Sequence, residues 1–595
     1  MDNTNIKNMV LAGALTLLIF IGWNAGVKYF YPNANKAPVQ AASAPAATPS
    51  ASASAKPTRE GGLTDAADQA LEAKDLKTAL NPASRVGIAA PGLSGSINLL
   101  GGVVDDLTTN RHTESIKKDS GPQRIFSPAG TPAQQFAEFG WRLPGGGTDP
   151  ALPGAGTQWT APQSAKLTPQ SPVTLSWTSP SGATFKLTYA IDADYMITVT
   201  QEVANTGPAP LAAKPYALIA RTDKTASLDT WNVHSGPFGA FDGTVSFAPN
   251  YKDVVEPKQV NNAGKTDWIG FTDIYWMSTL IPDAKIAATS DFRSLGGGLF
   301  RADLIYPDVT IAPGQTNALT TRLFAGAKES SVLDRYEATG ITNFGLAIDW
   351  GWFRWFEKPI FGLLKWLFGA VGNFGVAIIL LTLIVRGVMF PVAQRQFASM
   401  AAMKAIQPKM KAIQERYKDD KAKQQEEIMA LYKKEGVNPL AGCLPIFLQI
   451  PVFFALYKVL TLAVEMRHQP FFGWIHDLSA PDPLPILNLF GTLNFTPPAF
   501  LAIGILALLL GITMWLQFKL NPAQMDPAQQ QVFAIMPWMM MFIMAPFAAG
   551  LLIYWITSNV LTIAQQKFLY SRHPQLQAQA DKDASDQLRT KARGK

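Results

Sequence analysis

One charged side chain interrupts a long apolar run, and it is the residue most able to do chemistry. Arg386 lies within residues 378–390, where no other side chain is charged. Arginine at the centre of a membrane-spanning helix costs about 2.5–3.5 kcal/mol on insertion scales, so it needs a partner, water or a nearby interface. Thr382 lies one turn away on the same predicted helix face.

The apolar segments offer Arg386 no acidic partner. Asp and Glu are missing from residues 361–391, 440–464, 498–518 and 528–566. An ion pair inside a helix bundle is therefore excluded, and two interpretations stay open. The side chain snorkels to the near interface, or it lies in a hydrated cavity that opens to the cytoplasm, with Thr382 and Gln449 in its lining. A hydrated charge without a fixed counter-ion suits transient contact with polar or acidic polypeptide.

The segment 395–435 is a second candidate for function. Its apolar and aromatic residues recur at intervals of three and four and predict one helical stripe: Met400, Met403, Ile406, Met410, Ile413 and Tyr417. A turn at Asp419 and Asp420, followed by a shorter stripe, predicts a basic αα-hairpin at the membrane surface. Two interpretations stay open: a solvated hairpin that leans on lipid headgroups, or an arm that docks the ribosome or a client. The basic tail, 571–595, suits ribosomal RNA or anionic lipid.

The common catalytic signatures are missing. The chain contains no P-loop, no G-x-G-x-x-G after a strand, no H-E-x-x-H and no G-x-S-x-G. The single cysteine, Cys443, excludes an intrachain disulfide framework and a cysteine-based zinc site. A glycosidase needs a carboxylate pair, and sequence alone pairs none of Asp105, Asp106, Asp192 and Asp273. We therefore expect no enzymatic activity, no cofactor and no metal.

The composition of the chain indicates a membrane protein with a large water-soluble portion. Of 595 residues only 16% are charged, against about 25% in ordinary soluble domains. Lys and Arg number 51 and Asp and Glu 44, which gives a net charge of +7. A mean hydropathy of +0.07 is too apolar for a wholly soluble chain and too polar for a wholly embedded one.

The chain up to residue 343 divides into an anchor, a linker and a β-domain. Residues 1–32 contain an uncharged run long enough to cross a hydrocarbon core of about 30 Å, which predicts an uncleaved anchor, with a cleaved signal peptide as the alternative. Residues 33–60 are rich in Ala, Pro and Ser and predict a flexible linker. Residues 61–343 show short alternating runs and frequent turns, which predict an antiparallel β-sandwich. Six segments are strand candidates, the second and third of them joined by a hairpin turn at 192–194: 173–177, 184–189, 195–200, 244–247, 269–275 and 318–324. A helix at 328–338 closes this domain.

Aromatic and apolar segments follow. Residues 344–368 predict an amphipathic helix in the interface plane, with a buried core helix as the alternative. Five further spans are predicted at 369–391, 440–464, 498–518 and, divided near Pro546, 528–566, so the total is six. Segment 395–435 holds ten Lys and Arg and the tail from Lys567 holds seven, whereas loop 465–497 holds only Arg467. Basic loops face the cytoplasm, so both termini are expected there, with the β-domain in the periplasm.

These residues resemble the YidC-type membrane protein insertases of Gram-negative inner membranes. The resemblance covers about 344–570 and rests on five motifs: Asn373 to Pro391 with Thr382 and Arg386; Gln407-Pro408-Lys409; Asn438-Pro439-Leu440 with Gln449 and Pro451; Trp474 to Ser479; and Gly550-Leu551, Tyr554 and Ser558-Asn559. The β-domain matches mainly by position and texture.

The resemblance implies a six-span protein with a five-helix insertase core at 369–570 and a supersandwich-like periplasmic domain. It implies a groove with Arg386 as its positive charge, polar lining at Thr382 and Gln449, and an aromatic client contact at Trp555 beside Tyr554. The best-known member of the family has Tyr at the position of Trp555 and an uncharged aromatic residue at the position of Lys458. Nascent or newly made membrane proteins, the Sec translocon, the ribosome and the lipid bilayer are the implied partners.

Two other functions compete with insertion. A transporter or channel would favour inverted repeats or an ion-binding acid in the bundle, and neither is visible. A membrane-tethered carbohydrate-binding protein would use the β-domain, but it would leave the five-span bundle and its arginine unexplained.

Overall fold

A computed structural model describes most of the chain from Glu60 onward. The described residues are 60–117, 119–145, 149–227, 233–351, 353–394, 406, 409–410, 412–418, 420–436, 444–490, 492–493, 495, 501–520 and 527–571. The predicted anchor at 1–32, nearly all of the linker and the basic tail lie outside them.

Two antiparallel sheets build the first half of the described chain. One has eleven strands: β1 (Arg85–Ala89), β2 (Leu93–Asn98), β3 (Val103–Thr113), β4 (Pro122–Phe126), β5 (Gln135–Arg142), β6 (Lys166–Leu167), β10 (Leu211–Thr222), β13 (Gln259–Asn261), β16 (Thr289–Gly296), β17 (Leu299–Ile305) and β18 (Val309–Ile311). The other has eight: β7 (Val173–Thr178), β8 (Ala183–Ile191), β9 (Met196–Asn205), β11 (Gly236–Phe241), β12 (Thr244–Ser246), β14 (Thr266–Thr272), β15 (Trp276–Ile281) and β19 (Thr316–Ala327). The one parallel contact among these pairs joins β1 to β6.

The main paths of the two sheets run β13-β16-β17-β10-β5-β3-β2-β1-β6 and β12-β11-β14-β15-β19-β9-β8-β7. Residues alternate between buried and half-buried along β8, as expected for a strand with one face on a core. Aromatic rings from the two sheets meet between them: Trp141 contacts Phe185 at 5.0 Å and Phe139 contacts Tyr189 at 6.4 Å, both edge to face. The predicted sandwich is confirmed.

The predicted strands are largely confirmed. The hairpin forms between β8 and β9, with Ala183 opposite Asn205 and Ile191 opposite Ile197. The prediction at 269–275 was wrong at its end, because β14 stops at Thr272. Asp273 turns the chain there, since its N–H donates to the carbonyl of Trp276 at 2.8 Å.

Ten helices are described: α1 (Ala66–Ala79), α2 (Tyr251–Val255), α3 (Ser330–Ala338), α4 (Arg354–Val371), α5 (Phe374–Val388), α6 (Lys421–Glu435), α7 (Leu444–Leu462), α8 (Ile505–Leu520), α9 (Pro527–Met544) and α10 (Ala549–Ser571). Asn373 caps α5 by accepting the N–H of Val376 at 3.0 Å. The predicted division near Pro546 is confirmed, since α9 ends and α10 begins on either side of it.

Helix α4 has one buried and one exposed side. Phe361 and Leu364 are buried where the helix packs on α5 and α7, whereas the side chains of Trp355 and Trp366 are 74% and 68% exposed. This two-sidedness fits the predicted amphipathic helix. Helix α10 packs on α5, α7 and α8, and α8 also packs on α9. In the described part of the chain, no helix combines the length and the apolar character needed to cross a membrane.

Candidate functional site

Arg386 lies in the last turn of α5 and reaches across to α10. Its side chain is half-buried, and its Nε donates to the hydroxyl of Ser558 at 3.2 Å, with a second bond from Nη2 to the same oxygen. Ser558 is buried. Among the described residues, the partner of this guanidinium is thus a neutral hydroxyl group rather than a carboxylate.

Gln449 and Tyr554 form the second contact of the site. The side-chain amide of Gln449, on α7, donates to the hydroxyl of Tyr554, on α10. Tyr554 precedes Ser558 by one helical turn, so the two residues lie on one face of α10. On this face Tyr554 bonds to Gln449 of α7 and Ser558 bonds to Arg386 of α5. The structure therefore brings Arg386, Gln449 and Tyr554 together, where three helices meet.

Thr382 and Trp555 lie beside this contact. Thr382 is buried, and its hydroxyl donates to the carbonyl of Ile378 on its own helix at 2.7 Å. Its hydroxyl oxygen can still accept a hydrogen bond, and its predicted role as polar lining stays a prediction. Trp555 is half-buried and meets Phe453 of α7 edge to face at 5.3 Å.

Sequence reasoning gave Ser558 and Asn559 no role, although both belong to the site. Asn559 is buried and donates to the hydroxyl of Thr513 on α8 at 3.2 Å. The signal was present in the spacing, because polar side chains recur on α10 at intervals of four: Tyr554, Ser558, Thr562 and Gln566. Such a spacing places them on one side of a helix.

The far end of the bundle is closed by the chain between α7 and α8. The N–H groups of Ala549 and Gly550, at the start of α10, donate to the carbonyls of Ala480 and Leu478 at 2.8 and 2.9 Å. Phe471 packs against Gly375 so closely that an added Cβ would lie 2.0 Å from its ring. We call residues 467–482 the cap. Since Gly375 and Arg386 are eleven residues apart on one helix, the cap lies about 16 Å from Arg386 along its axis.

Part of the predicted hairpin stripe is described. Ile406 is buried, Met410 and Ile413 are half-buried, and Met400 and Met403 lie outside the described residues. The hydroxyl of Tyr432, on α6, donates to the sulfur of Met410 at 3.1 Å. The stripe thus packs against the second helix of its own hairpin, and a docking role for it stays a prediction.

Lys458, on α7, contacts the chain before α4. Its ammonium group donates to the carbonyl of Asp349 at 2.8 Å and lies 4.0 Å from the carboxylate of the same residue. This residue of α7 therefore joins the bundle to the segment that precedes α4.

The carboxylates that could have paired for catalysis have structural partners. Asp105 and Asp106 pair with Arg85 and Arg124, Asp273 pairs with Arg221 at 2.5 Å, and Asp192 accepts from the hydroxyl of Tyr336 at 2.6 Å. Burial raises the pKa of Asp105 despite the charge of Arg85. Each of these carboxylates thus has a basic or hydroxyl partner in the sandwich domain, and Asp273 also lines a cavity there.

Comparisons with known proteins give matches for both the helix bundle and the β-sandwich. A family model described as "60Kd inner membrane protein" matches residues 366–576, and one described as "YidC periplasmic domain" matches residues 85–363. The "Membrane protein insertase YidC" of Zymomonas mobilis is 43% identical over 578 residues and covers 96% of each chain. That of Ruegeria pomeroyi is 43% identical over 602 residues, again with 96% of each chain covered.

Two solved structures are similar at lower identity. A crystal structure described as an active YidC insertase is 17% identical, with a TM-score of 0.34, and the match covers 81% of this chain and 92% of that one. A galactose mutarotase-like protein from Lactobacillus casei is 11% identical, with a TM-score of 0.29, and the match covers 40% of this chain and 99% of that one.

Proposed function

This chain belongs to the YidC family of membrane protein insertases, and we propose that it inserts clients through a polar groove that carries Arg386. The curated relatives are named as insertases of membrane proteins and not as enzymes. The description of the matching family places its members in the inner membrane. The proposal therefore concerns how the insertion is done.

In this proposal α5, α7, α8, α9 and α10 cross the inner membrane, with a sixth span at residues 1–32. Both termini lie in the cytoplasm and the β-sandwich lies in the periplasm. The ten basic residues of 395–435 support this orientation. Arg386 lies at the end of α5 that leads into this basic segment, and the cap closes the opposite end of the bundle. The groove is thus open to the cytoplasm and closed on the outer side.

The contact between Arg386 and Ser558 is the observation that carries the proposal. A hydroxyl satisfies hydrogen-bond donors of the guanidinium but leaves its charge uncompensated. At the edge of a low-dielectric region this charge attracts acidic and polar groups more strongly than it would in water. Gln449, Tyr554 and Trp555 add polar and aromatic contacts beside it.

Insertion then needs no nucleotide. A short polar segment of the client enters the hydrated groove, which shortens the hydrocarbon barrier that the segment must cross. The client's apolar helix partitions into lipid along α7 and α9, and its transfer from water supplies free energy. The membrane potential contributes about 2.3 kcal/mol per charge per 100 mV.

The remaining partners belong to the same proposal. Clients arrive as nascent or newly made chains, and the basic hairpin and tail attract the ribosome or anionic lipid. The protein acts alone or with the Sec translocon.

Reconstitution of the purified protein tests this function. We expect proteoliposomes to insert a small single-span client with an acidic translocated segment more efficiently than protein-free liposomes, as measured by protease protection. Arg386→Ala is expected to reduce this insertion about ten-fold, the effect of losing one charged contact, and to affect a client with a neutral segment less.

The matched control is Lys519→Ala, which removes an exposed cation at the end of α8. It should leave insertion unchanged. Equal insertion of both clients by wild type and Arg386→Ala would remove Arg386 from the mechanism, while no insertion above protein-free liposomes would contradict insertion by this protein alone.

A further inference from the structure

The segment that joins the cap to α8 is apolar and exposed. Residues 483–518 contain no charged side chain. Within this segment we call residues 484–490, 492, 493 and 495 the apolar loop. Five of its side chains are each 45–55% exposed: Leu487, Leu489, Phe490, Leu493 and Phe495. Single exposed apolar side chains are common, whereas a group of them marks a surface that contacts a partner or a membrane.

The backbone of the apolar loop forms hydrogen bonds within the protein. The N–H of Phe490 donates to the carbonyl of Pro485 at 3.1 Å, and the N–H of Leu489 donates to the carbonyl of Ile486 at 3.0 Å. At the base of the loop, the N–H of Ile486 donates to the carbonyl of Ile503 at 2.9 Å. A backbone polar group that is already hydrogen-bonded costs less to remove from water. These bonds therefore make the loop suitable for an apolar environment.

Asp482, the last residue of the cap, fixes the apolar loop to the start of α8. Its carboxylate accepts the N–H of Leu484 at 3.1 Å and the N–H of Leu506 at 2.8 Å. The indole N–H of Trp474 also donates to it, at 3.1 Å. Gly504 packs so closely on this side chain that an added Cβ would lie 2.5 Å from it. The loop thus lies beside the end of α8 that the proposed orientation places at the outer surface.

Helix α8 accounts for part of the hydrocarbon core in the proposed orientation. Lys519 marks its cytoplasmic end, and Ile505, where the helix begins, lies fourteen residues away, which is about 21 Å along the axis. A hydrocarbon core of about 30 Å leaves about 9 Å beyond Ile505. Only uncharged residues lie between Asp482 and Ile505, so this part of the chain can fill the remaining depth.

We propose that the apolar loop inserts into the outer leaflet of the inner membrane, at the boundary between lipid headgroups and acyl chains, and so holds the cap at the membrane surface. This inference rests on the proposed function, which places the outer end of α8 there. Lipid is favoured over a protein partner because exposed side chains of α8 are apolar as well, among them Leu509, Ile512 and Trp515. The lipid that covers this helix can therefore cover the loop that precedes it.

Fluorescence quenching in nanodiscs that hold one full-length copy each tests the contact and excludes a second copy as the occupant. An environment-sensitive NBD label is attached to Phe490→Cys or Leu493→Cys, with Cys443→Ser removing the native thiol. The quencher is a phospholipid with a doxyl group near the headgroup end of its acyl chain. We expect at least about two-fold quenching at both positions, because an apolar face at this boundary lies about 5–10 Å deep.

The control label is attached to Thr316→Cys. Thr316 is exposed and begins β19, whereas the other end of this strand, Ala327, leads towards the bundle. The two ends are about 36 Å apart along the strand, so we expect no quenching at position 316. Quenching at positions 490 and 493 that does not exceed that at position 316 would overturn the proposal. It would also be overturned if the two labels left water only after addition of the translocon, since a protein would then be the occupant.

A pair of variants at Leu489 tests whether the apolar side chains hold the loop in lipid. Leu489 has a φ of +51°, which aspartate tolerates better than most residues. In the Phe490→Cys background, Leu489→Asp should reduce the quenching at least about two-fold, since a charged group resists transfer from water, while Leu489→Met should leave it unchanged. Equal quenching in the two variants would contradict anchoring by these side chains.

Insertion is scored separately, by protease protection in proteoliposomes. A protein that inserts the client but shows no quenching at position 490 contradicts the lipid contact alone. Quenching in a protein that inserts nothing contradicts the proposed function and leaves the lipid contact in place.

Discussion

An arginine of the β-sandwich and an arginine of the helix bundle differ in the partner that they contact. In the sandwich, Arg221 and Asp273 are buried 2.5 Å apart, and the second oxygen of Asp273 accepts bonds from Ser227 and Ser235. In the bundle, Arg386 donates to the hydroxyl of Ser558 and forms no ion pair with a described carboxylate. A compensated charge holds a fold together, whereas an uncompensated one keeps its attraction for a passing partner. In the proposed function, the compensated pair stabilises the sandwich and Arg386 contacts the client.

The largest expected effect is on the compensated pair. Asp273→Ala leaves Arg221 buried and unpaired, which should cost about 3–5 kcal/mol of unfolding free energy. Urea unfolding of the full-length protein, followed by the fluorescence of its tryptophans, measures the change. The matched control is Asp308→Ala, at an exposed pair with Lys214, which should cost less than about 1 kcal/mol. Similar losses in the two variants would contradict the comparison.

Lys328 differs from Arg221, because this buried cation of the sandwich domain donates to a neutral hydroxyl group. Its substitution should give the next largest change in unfolding free energy. Lys328 is buried and donates to the hydroxyl of Thr272 at 3.1 Å, and burial lowers its pKa from 10.5 to about 8 despite the nearby charge of Asp273. A lysine with a lowered folded pKa destabilises the fold fully below pH 8, and this penalty disappears as the pH rises towards 10.5.

Lys328→Met should therefore stabilise the protein at pH 7 by about 2 kcal/mol, after the lost hydrogen bond is subtracted. Urea unfolding at several pH values should show the gain shrinking between pH 8 and pH 10.5. A gain that does not change with pH would mean that packing, and not the charge, is responsible.

The smallest of these effects is at the contact between the cap and α5, where Phe471 packs against Gly375 without a charged group. Gly375→Ala puts a methyl group against Phe471 and should cost about 1 kcal/mol in overpacking. Gly362, on α4, has open space around it, so Gly362→Ala should stabilise its helix by about 0.5–1 kcal/mol. Thermal unfolding in nanodiscs compares the two. Opposite signs support the cap, and equal signs would contradict the tight contact.

Much of the sandwich could be predicted because a strand with one buried face alternates in its sequence, as β8 does. Strand β10 was harder to recognise, since Pro215 argues against a central strand. The proline is tolerated because it lies where β10 changes partner, from β18 at 211–213 to β17 from Tyr216 onward. That switch depends on distant segments, which no local pattern records.

The candidate site was predictable to the extent that charge marks it. Arg386 stands out because a charge in an apolar run is costly. Its partner Ser558 carries no charge and packs through contacts between α5 and α10, so only the interval of four on α10 pointed to it. Asn559 could not be predicted either, because its bond to Thr513 joins α10 to α8. The sequence does not show that these two helices are neighbours.

The most direct test of the central claim gives Arg386 a carboxylate partner, which it does not have among the described residues. Ser558→Asp places a carboxylate at the oxygen that now accepts from the guanidinium, and Ser558→Asn is its uncharged control of the same size. Insertion of the client with an acidic translocated segment is measured in proteoliposomes. The account predicts that Ser558→Asp abolishes this insertion while Ser558→Asn retains most of it. Equal insertion by both variants would contradict the claim that an uncompensated charge drives client contact.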